Sequence, residues 1–243
     1  MSIPRLFTEA DLAEGAEFPA AEGQGAYLAQ VLRRRPGDAV RLFNGRDGEW
    51  EGRLASLARD RAVLRAERRI APQRGVPDIA LLLAVLKREA MEAAVQAAVE
   101  LGAARIVPVL AARSVPDRVN VARLSLIARE AAEQCERMEV PEVAAPVPFA
   151  AALERWGGAP LILAAERRSA PPLPAAAAGL APPLGLMVGP EGGFTPAELD
   201  AALARPFVVP ATLGPRILRA RTAVAAGLAV LMAAAGDWNQ SQG

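Results

Sequence analysis

Two short stretches hold the residue types that could do chemistry. The first is Gly189-Pro190-Glu191-Gly192-Gly193-Phe194-Thr195, and the second is Leu213-Gly214-Pro215-Arg216-Ile217-Leu218-Arg219. Gly189, Gly192 and Gly193 allow positive φ and close approach of a ligand to bare backbone. No Gly-Lys-Ser/Thr follows, so the first stretch is not a P-loop, and it does not fit the G-x-G-x-x-G dinucleotide fingerprint. Glu191 would repel phosphates, so a cationic or neutral adenosine-type ligand suits the loop better. An ordinary strand-to-helix turn with glycines for geometry is the competing reading.

The flanking residues must position these loops. Leu184 to Val188 is a short apolar run between Pro183 and Gly189, which predicts a buried strand. Thr195-Pro196-Ala197-Glu198 reads as a capping box, with Thr as N-cap, Pro at N1 and Glu at N3. The second loop likewise follows an apolar run from Phe207 and precedes a long Ala-rich helix expected over Ile217 to Ala235. Two strand–loop–helix units side by side put both loops at the carboxyl edge of a parallel sheet, where ligands of open α/β sheets bind.

Composition narrows the chemistry. The 243 residues are 52% hydrophobic and 23% charged, which is a globular balance. The chain has no histidine and a single cysteine, Cys135. Ser-His-Asp and Cys-His nucleophilic machinery, His-based metal ligation and a disulfide framework within the chain are therefore excluded. The start, MSIPRLFTEADL, lacks a basic n-region and an apolar h-region. The longest apolar runs, Ile79 to Leu86 and Ala223 to Ala235, are too short to span a bilayer. A soluble cytoplasmic protein without a bound metal is expected.

Residues 1–72 are expected to form a small β-rich domain and 73–243 an α/β domain. Asp38 to Phe43, Glu49 to Leu57 and Arg61 to Glu67 read as strands, with Asn44-Gly45-Arg46-Asp47-Gly48 as a turn and Ala26 to Arg34 as a short helix. The net charge of +1 hides an asymmetry. Val31 to Ile70 holds eleven Arg against six acids, a difference of +5, while the first thirty residues hold one Arg against five acids, a difference of −4. A basic stripe on a small β domain suits a nucleic-acid backbone, although a solvated surface is the commoner meaning of such a run. From Pro77 the pattern becomes β/α alternation: strands at Ile79 to Leu86, Arg105 to Leu110 and Pro160 to Ala165, and helices at Arg88 to Leu101 and Val119 to Met138. Ser169 to Pro183, rich in Ala and Pro, reads as an exposed loop.

GPEGGFTPAEL followed by LGPRILRARTA resembles the C-terminal signature of the SPOUT methyltransferases, and more closely that of the bacterial 16S ribosomal RNA uracil-N3 methyltransferases. The usual second motif is LGxRILRxETA; Leu213, Gly214, Arg216, Ile217, Leu218, Arg219, Thr222 and Ala223 match, and Arg221 stands where the family usually has Glu. Lys87, Met91, Glu92, Glu100-Leu101-Gly102 and Pro108 follow a further family pattern. So do Glu133-Gln134-Cys135, Arg137 and Pro141, with Glu136 in place of the usual Gly. Ile3-Pro4-Arg5, Val31-Leu32-Arg33 and Pro36-Gly37-Asp38 are similar to the family's N-terminal PUA-like barrel.

The resemblance implies a C-terminal SPOUT α/β domain with a trefoil knot, a PUA-like β-barrel that binds RNA, a homodimer, and S-adenosylmethionine as donor. It places the donor at Gly189, Glu191, Gly192, Gly193, Leu213, Gly214, Ile217 and Leu218, with Leu163 at the end of an earlier strand. Leu213 and Leu218 are expected to sandwich the adenine. Arg5, Arg33, Arg113 and Arg137 become candidate RNA contacts. The activity implied is methylation of uridine N3 in 16S rRNA of the small ribosomal subunit, with Arg219 stabilising the developing uracil anion through O2 or O4; a salt bridge at the start of the final helix is the other role open to Arg219. Another SPOUT activity such as ribose 2′-O methylation, or a non-catalytic RNA-binding or ribosome-assembly protein that keeps the fold, are the alternatives. The Asn and Arg motif typical of the former is not seen, and Arg221 favours the latter.

Overall fold

All six side chains of β6 (Ile79–Ala84) are buried, as its unbroken apolar run requires. The strand sits within a parallel sheet. The computed structural model of the chain describes residues 3–59, 61–115, 118–165 and 169–239. It divides into two units: the chain up to Gly75 together with Arg129–Val140, and Val76–Ala128 together with the chain from Pro141 onward.

The second unit carries the α/β pattern. Its elements are β6, α2 (Arg88–Glu100), β7 (Arg105–Leu110), the first half of α3 (Val121–Gln134), β8 (Glu142–Val143), β9 (Val147–Pro148) and α4 (Phe149–Glu154). Then come β10 (Leu161–Ala164), α5 (Leu173–Ala176), β11 (Leu184–Val188), α6 (Pro196–Leu203), β12 (Val208–Ala211) and α7 (Ala220–Ala235). The sheet order is β12-β10-β11-β6-β7-β8, with β9 also beside β7, and every pairing is parallel. Helices cover both faces. On one, Leu82, Leu163 and Met187 join Phe149 and Leu153 of α4 and Leu199 and Ala202 of α6 in one cluster. On the other, α7 lies against β11 so closely that a Cβ on Gly227 would stand 2.6 Å from the Leu186 side chain.

α2 buries Met91, Ala94, Val95, Ala98 and Val99, a stripe at i, i+3, i+4, i+7 and i+8 that follows from the 3.6-residue period. α7 buries Ala220, Ala223, Val224, Gly227, Leu228, Leu231 and Met232 in the same rhythm, so it presents one inner stripe. Each fully buried Leu contributes roughly 1.5–3 kcal/mol by leaving water. The helix begins at Ala220, three residues later than expected: Arg219 is extended at ψ 149 and Ile217, 71% exposed, belongs to the preceding loop. The segment expected to be an exposed loop contains α5, whose Leu173 is fully buried and donates its N–H to Thr212 O. α3 stops at Gln134 short of the expected Met138, with Glu136 in the left-handed region at φ 62.

The first unit is a five-stranded sheet in the order β1-β3-β4-β5-β2, from β1 (Arg5–Phe7), β2 (Glu17–Pro19), β3 (Ala39–Phe43), β4 (Glu49–Ala58) and β5 (Arg61–Ala71). Only β1–β3 is parallel. Between β2 and β3, α1 (Gln24–Ala26) runs into a π-helical turn at Tyr27–Val31. Leu6, Phe18, Leu28, Val40, Leu42, Leu54 and Leu64 form the core. Register shifts along β4 and β5 mark bulges, which bend and twist long strands. The returning segment Arg129–Val140 joins this unit through hydrogen bonds: Glu133 Oε1 accepts from Phe7 N–H at 2.9 Å and from Gln24 Nε2 at 3.1 Å, and Ala132 O accepts from Arg5 at 3.0 Å.

Candidate functional site

Parallel register brings the strand ends level. Leu163 pairs with Met187 and with Pro210, and Ala164 pairs with Ala211. β10, β11 and β12 therefore release their loops at one edge, and the two motif loops leave on either side of the end of β10.

The first loop is a tight turn in which Gly193 N–H donates to Pro190 O at 2.8 Å, with Gly193 at φ 68. Beneath it the buried Phe194 ring packs on Phe149, centroids 5.2 Å apart, and lies 3.2 Å from where a Cβ on Gly189 would stand. The capping box forms as the spacing predicts. Thr195 Oγ1 accepts from Glu198 N–H, and Glu198 Oε2 accepts from Thr195 N–H at 2.8 Å and from its hydroxyl at 2.9 Å. The other oxygen, Oε1, accepts from Ala112 N–H at 2.7 Å. Arg113 then donates to Gly192 O at 2.8 Å. One carboxylate and one guanidinium thus fasten the loop after β7 to the loop after β11.

The second loop turns on Thr212, whose Oγ1 accepts from Gly214 N–H at 3.3 Å and donates to Gly214 O at 3.2 Å, with Gly214 at φ 107. Two small cavities flank Ala164. One is lined by Ala164, Ala165 and Thr212 to Leu218; the other by Ala164, Val188, Gly189, Pro190, Gly192, Gly193 and Phe194. Among the described residues the backbone N–H groups of Leu213, Ile217 and Leu218 have no partner. The walls therefore combine apolar side chains with free backbone donors.

The structure sorts the predicted residues. Gly189, Gly192 and Gly193 line one of these cavities, and Leu213, Gly214, Ile217 and Leu218 the other. Leu163 is fully buried in the core behind them, and the next residue, Ala164, faces both cavities. Ala164 and Thr212 are not among the expected contacts, because a lone alanine carries no chemical signal and Thr212 precedes the motif; Phe194, within the first motif, shows its role only through its packing on Phe149. Glu191 and Arg219 instead line a third cavity of about 420 Å³ with Glu89, Ala90, Ala220 and Arg221. Among the described residues no ion pair involves Arg219, so the salt bridge that was its other possible role does not form there.

The four arginines expected to touch RNA separate. Arg5 is 8% exposed, donates to Glu49 Oε1 at 2.8 Å and lies 3.9 Å over the Phe43 ring. Arg137 is 9% exposed and reaches Glu139 at 3.4 Å. Burial engages both guanidinium groups inside the first unit. Arg113 is committed to Gly192, whereas Arg33 is exposed, in the left-handed region at φ 52.

Comparison with known proteins gives matches along most of the chain. An RNA methyltransferase domain family matches residues 73–232, and an RNA methyltransferase PUA domain family matches residues 22–67. The chain is similar to ribosomal RNA small subunit methyltransferase E of Synechocystis sp., 36% identical over 214 residues covering 85% of this chain and 70% of that protein. It is 32% identical to the protein of the same name from Mycobacterium tuberculosis, over 90% of this chain and 87% of that one. Among solved structures, a Legionella pneumophila methyltransferase in complex with the cofactor SAM superposes with TM-score 0.87 at 28% identity, covering 98% of this chain and 100% of that one. Ribosomal RNA small subunit methyltransferase E from Neisseria gonorrhoeae, bound to S-adenosylmethionine, gives 0.85 at 28% identity, with the same coverage.

Proposed function

The chain belongs to the RNA methyltransferase family, and from that premise we propose that it transfers a methyl group from S-adenosylmethionine to N3 of a uridine in 16S ribosomal RNA of the small subunit. The observation that carries the reading is the pair of loops at the carboxyl edge of β10, β11 and β12, with an apolar floor and unpartnered backbone donors.

Those residues fit the donor. Adenine offers ring-nitrogen acceptors to the free N–H groups of Leu213, Ile217 and Leu218, and apolar faces to Leu213 and Leu218. No phosphate needs a place, so Glu191 in the adjoining turn is tolerated. When bound, S-adenosylmethionine supplies a methyl group on a positively charged sulfonium, which needs no covalent protein intermediate. The work left to the chain is to hold donor and acceptor in line and to manage one proton.

The first unit serves RNA. Arg33, Arg61, Arg65 and Arg69 are exposed, and none takes part in an ion pair among the described residues, which suits a phosphate backbone. The acting form is a homodimer, a reading supported by Ala225, Ala226, Ala229 and Val230, small apolar residues on α7 away from its buried stripe. Action on ribosomal RNA goes with a cytoplasmic location. No helix among the described residues is long and apolar enough to cross a membrane.

The deciding experiment is transfer of labelled methyl from S-adenosylmethionine to small subunits lacking the modification, followed by nucleoside mass spectrometry. 3-Methyluridine is the expected product. Donor binding with no transfer to the small subunit would point to a different RNA substrate or to a lost activity.

A further inference from the structure

The cavity of about 420 Å³ lies where the N-terminal ends of α2 and α7 come together, and within the range of sizes that hold a small ligand. Its charged groups are two arginines, Arg219 and Arg221, and two carboxylates, Glu89 and Glu191. Glu191 belongs to the same turn that lines the glycine-walled cavity, so the two spaces share a wall. We propose that this third cavity is the pocket for the acceptor base, in which Glu89 accepts the uracil N3 proton while Arg219 and Arg221 hold the two flanking carbonyl oxygens. The assignment rests on the uridine-N3 reading.

Hydrogen-bond complementarity carries the argument. The pairing edge of uracil presents O4, N3–H and O2: acceptor, donor, acceptor. A carboxylate only accepts and a guanidinium only donates, so an Arg–Glu–Arg set is the matching donor–acceptor–donor array. Cytosine, which offers an exocyclic donor and an N3 acceptor, mismatches two of the three positions. Arg221, the residue at which this chain departs from the usual Glu, thereby provides the second donor.

Glu89 is the carboxylate free for the acceptor. Glu191 rides on the donor loop, whose ligand is a cation. Glu89 stands in the first turn of α2 on a different wall. Its neighbour Arg88 is engaged by Glu92 at 3.0 Å, and Glu92 also meets Arg123 at 3.4 Å, so Glu89 keeps no ion pair among the described residues. α2 and α7, 13 and 16 residues long, both turn their N-terminal ends to the cavity, and such ends favour negative charge. A uracil anion is the species that gains most there.

The step balances. The N3–H bond breaks and its proton passes to the Glu89 carboxylate. N3 keeps the electron pair and forms the N–CH3 bond as the S–CH3 bond breaks with its pair on sulfur. Glu89 then returns the proton to water.

The test is single-turnover methyl transfer by the full chain, wild type against Glu89→Gln, across pH and on two RNAs carrying uridine or the more N3-acidic 5-fluorouridine at the target. Donor affinity is read in parallel by calorimetry. The expected result for Glu89→Gln is unchanged donor affinity, a rate lowered roughly 100-fold or more at neutral pH, a rate that climbs with pH, and partial rescue by 5-fluorouridine. Equal loss on both RNAs at every pH, or full activity, overturns the role of Glu89. Arg221→Gln is expected to slow transfer to uridine, and an unchanged rate removes Arg221 from the pocket. A wild-type protein whose product is another nucleoside overturns the uridine-N3 reading itself, an outcome distinct from any behaviour of the variants.

Discussion

The guanidinium of Arg113 donates to the carbonyl oxygen of Gly192 at 2.8 Å, and the stem of the same side chain would lie 3.3 Å from a Cβ at that glycine. The loop after β11, the proposed donor loop, is thus braced from the loop after β7. Arg113→Ala is expected to weaken S-adenosylmethionine binding several-fold, about 1 kcal/mol for the loss of one solvent-exposed hydrogen bond, with little change in unfolding free energy. Isothermal titration measures the first and denaturant unfolding the second. Unchanged donor affinity with lost RNA affinity would return Arg113 to a direct RNA role.

Glu198 serves two loops with one carboxylate, closing the capping box on Thr195 and accepting the Ala112 N–H at 2.7 Å. Glu198→Ala leaves both the N-cap backbone and Ala112 short of a partner. A loss of about 1–2 kcal/mol in urea unfolding is expected. Thr195→Ala, which leaves the Ala112 bond in place, is expected to cost less; equal costs would mean that the Ala112 contact contributes nothing.

Arg5 and Glu49 form an ion pair at 2.8 Å with both residues buried. Removing Arg5 leaves the Glu49 carboxylate only the partly exposed Arg41 guanidinium at 3.8 Å, so Arg5→Ala is expected to destabilise the chain by about 2–3 kcal/mol, less than a fully stranded buried charge would cost. Arg33→Ala, at an exposed position, is expected to leave stability alone and weaken RNA binding. Thermal unfolding and filter binding on the same two variants separate the roles, and the reverse pattern would make Arg5 the RNA contact.

Burial pushes the Glu133 carboxyl above its ordinary value of 4.5, against the hydrogen bonds from Phe7 N–H and Gln24 that favour its ionised form. Between 4.5 and the higher folded value the native chain holds more protons than the unfolded one, so stability falls as pH rises through that window. Glu133→Gln keeps an acceptor oxygen for both donors and has no proton to lose. The variant is expected to be more stable than wild type at neutral pH and to lack this part of the pH slope. Denaturant midpoints between about pH 4 and 8 check it, and parallel curves for the two proteins would refute it.

What could be read from the sequence was local. The capping box lies within four residues, the α2 stripe follows one helical period, and the apolar run of β6 needs no partner to be recognised. The glycines and Leu213 to Leu218 stood out through motif, and the structure gathers them around two adjoining cavities. What escaped depends on distant partners. β1 and β2 are three residues long and exist through pairing with β3 and β5. The part played by Arg5 is set by Glu49 and Ala132, 44 and 127 positions away. Leu163 and Ala164 are both apolar, and only the pleat of β10 decides which faces the cavities. Glu89 reads as an ordinary first-turn acid until α7 is set beside it.

The return of Arg129–Val140 to the N-terminal sheet has a consequence for how this protein can be taken apart. A contiguous piece ending at Gly75 leaves Phe7 N–H and Gln24 without Glu133, and Arg5 without the Ala132 carbonyl. The N-terminal sheet cannot be lifted out whole as a contiguous cassette. Its final piece is written into the middle of the catalytic half, and the two must be inherited together.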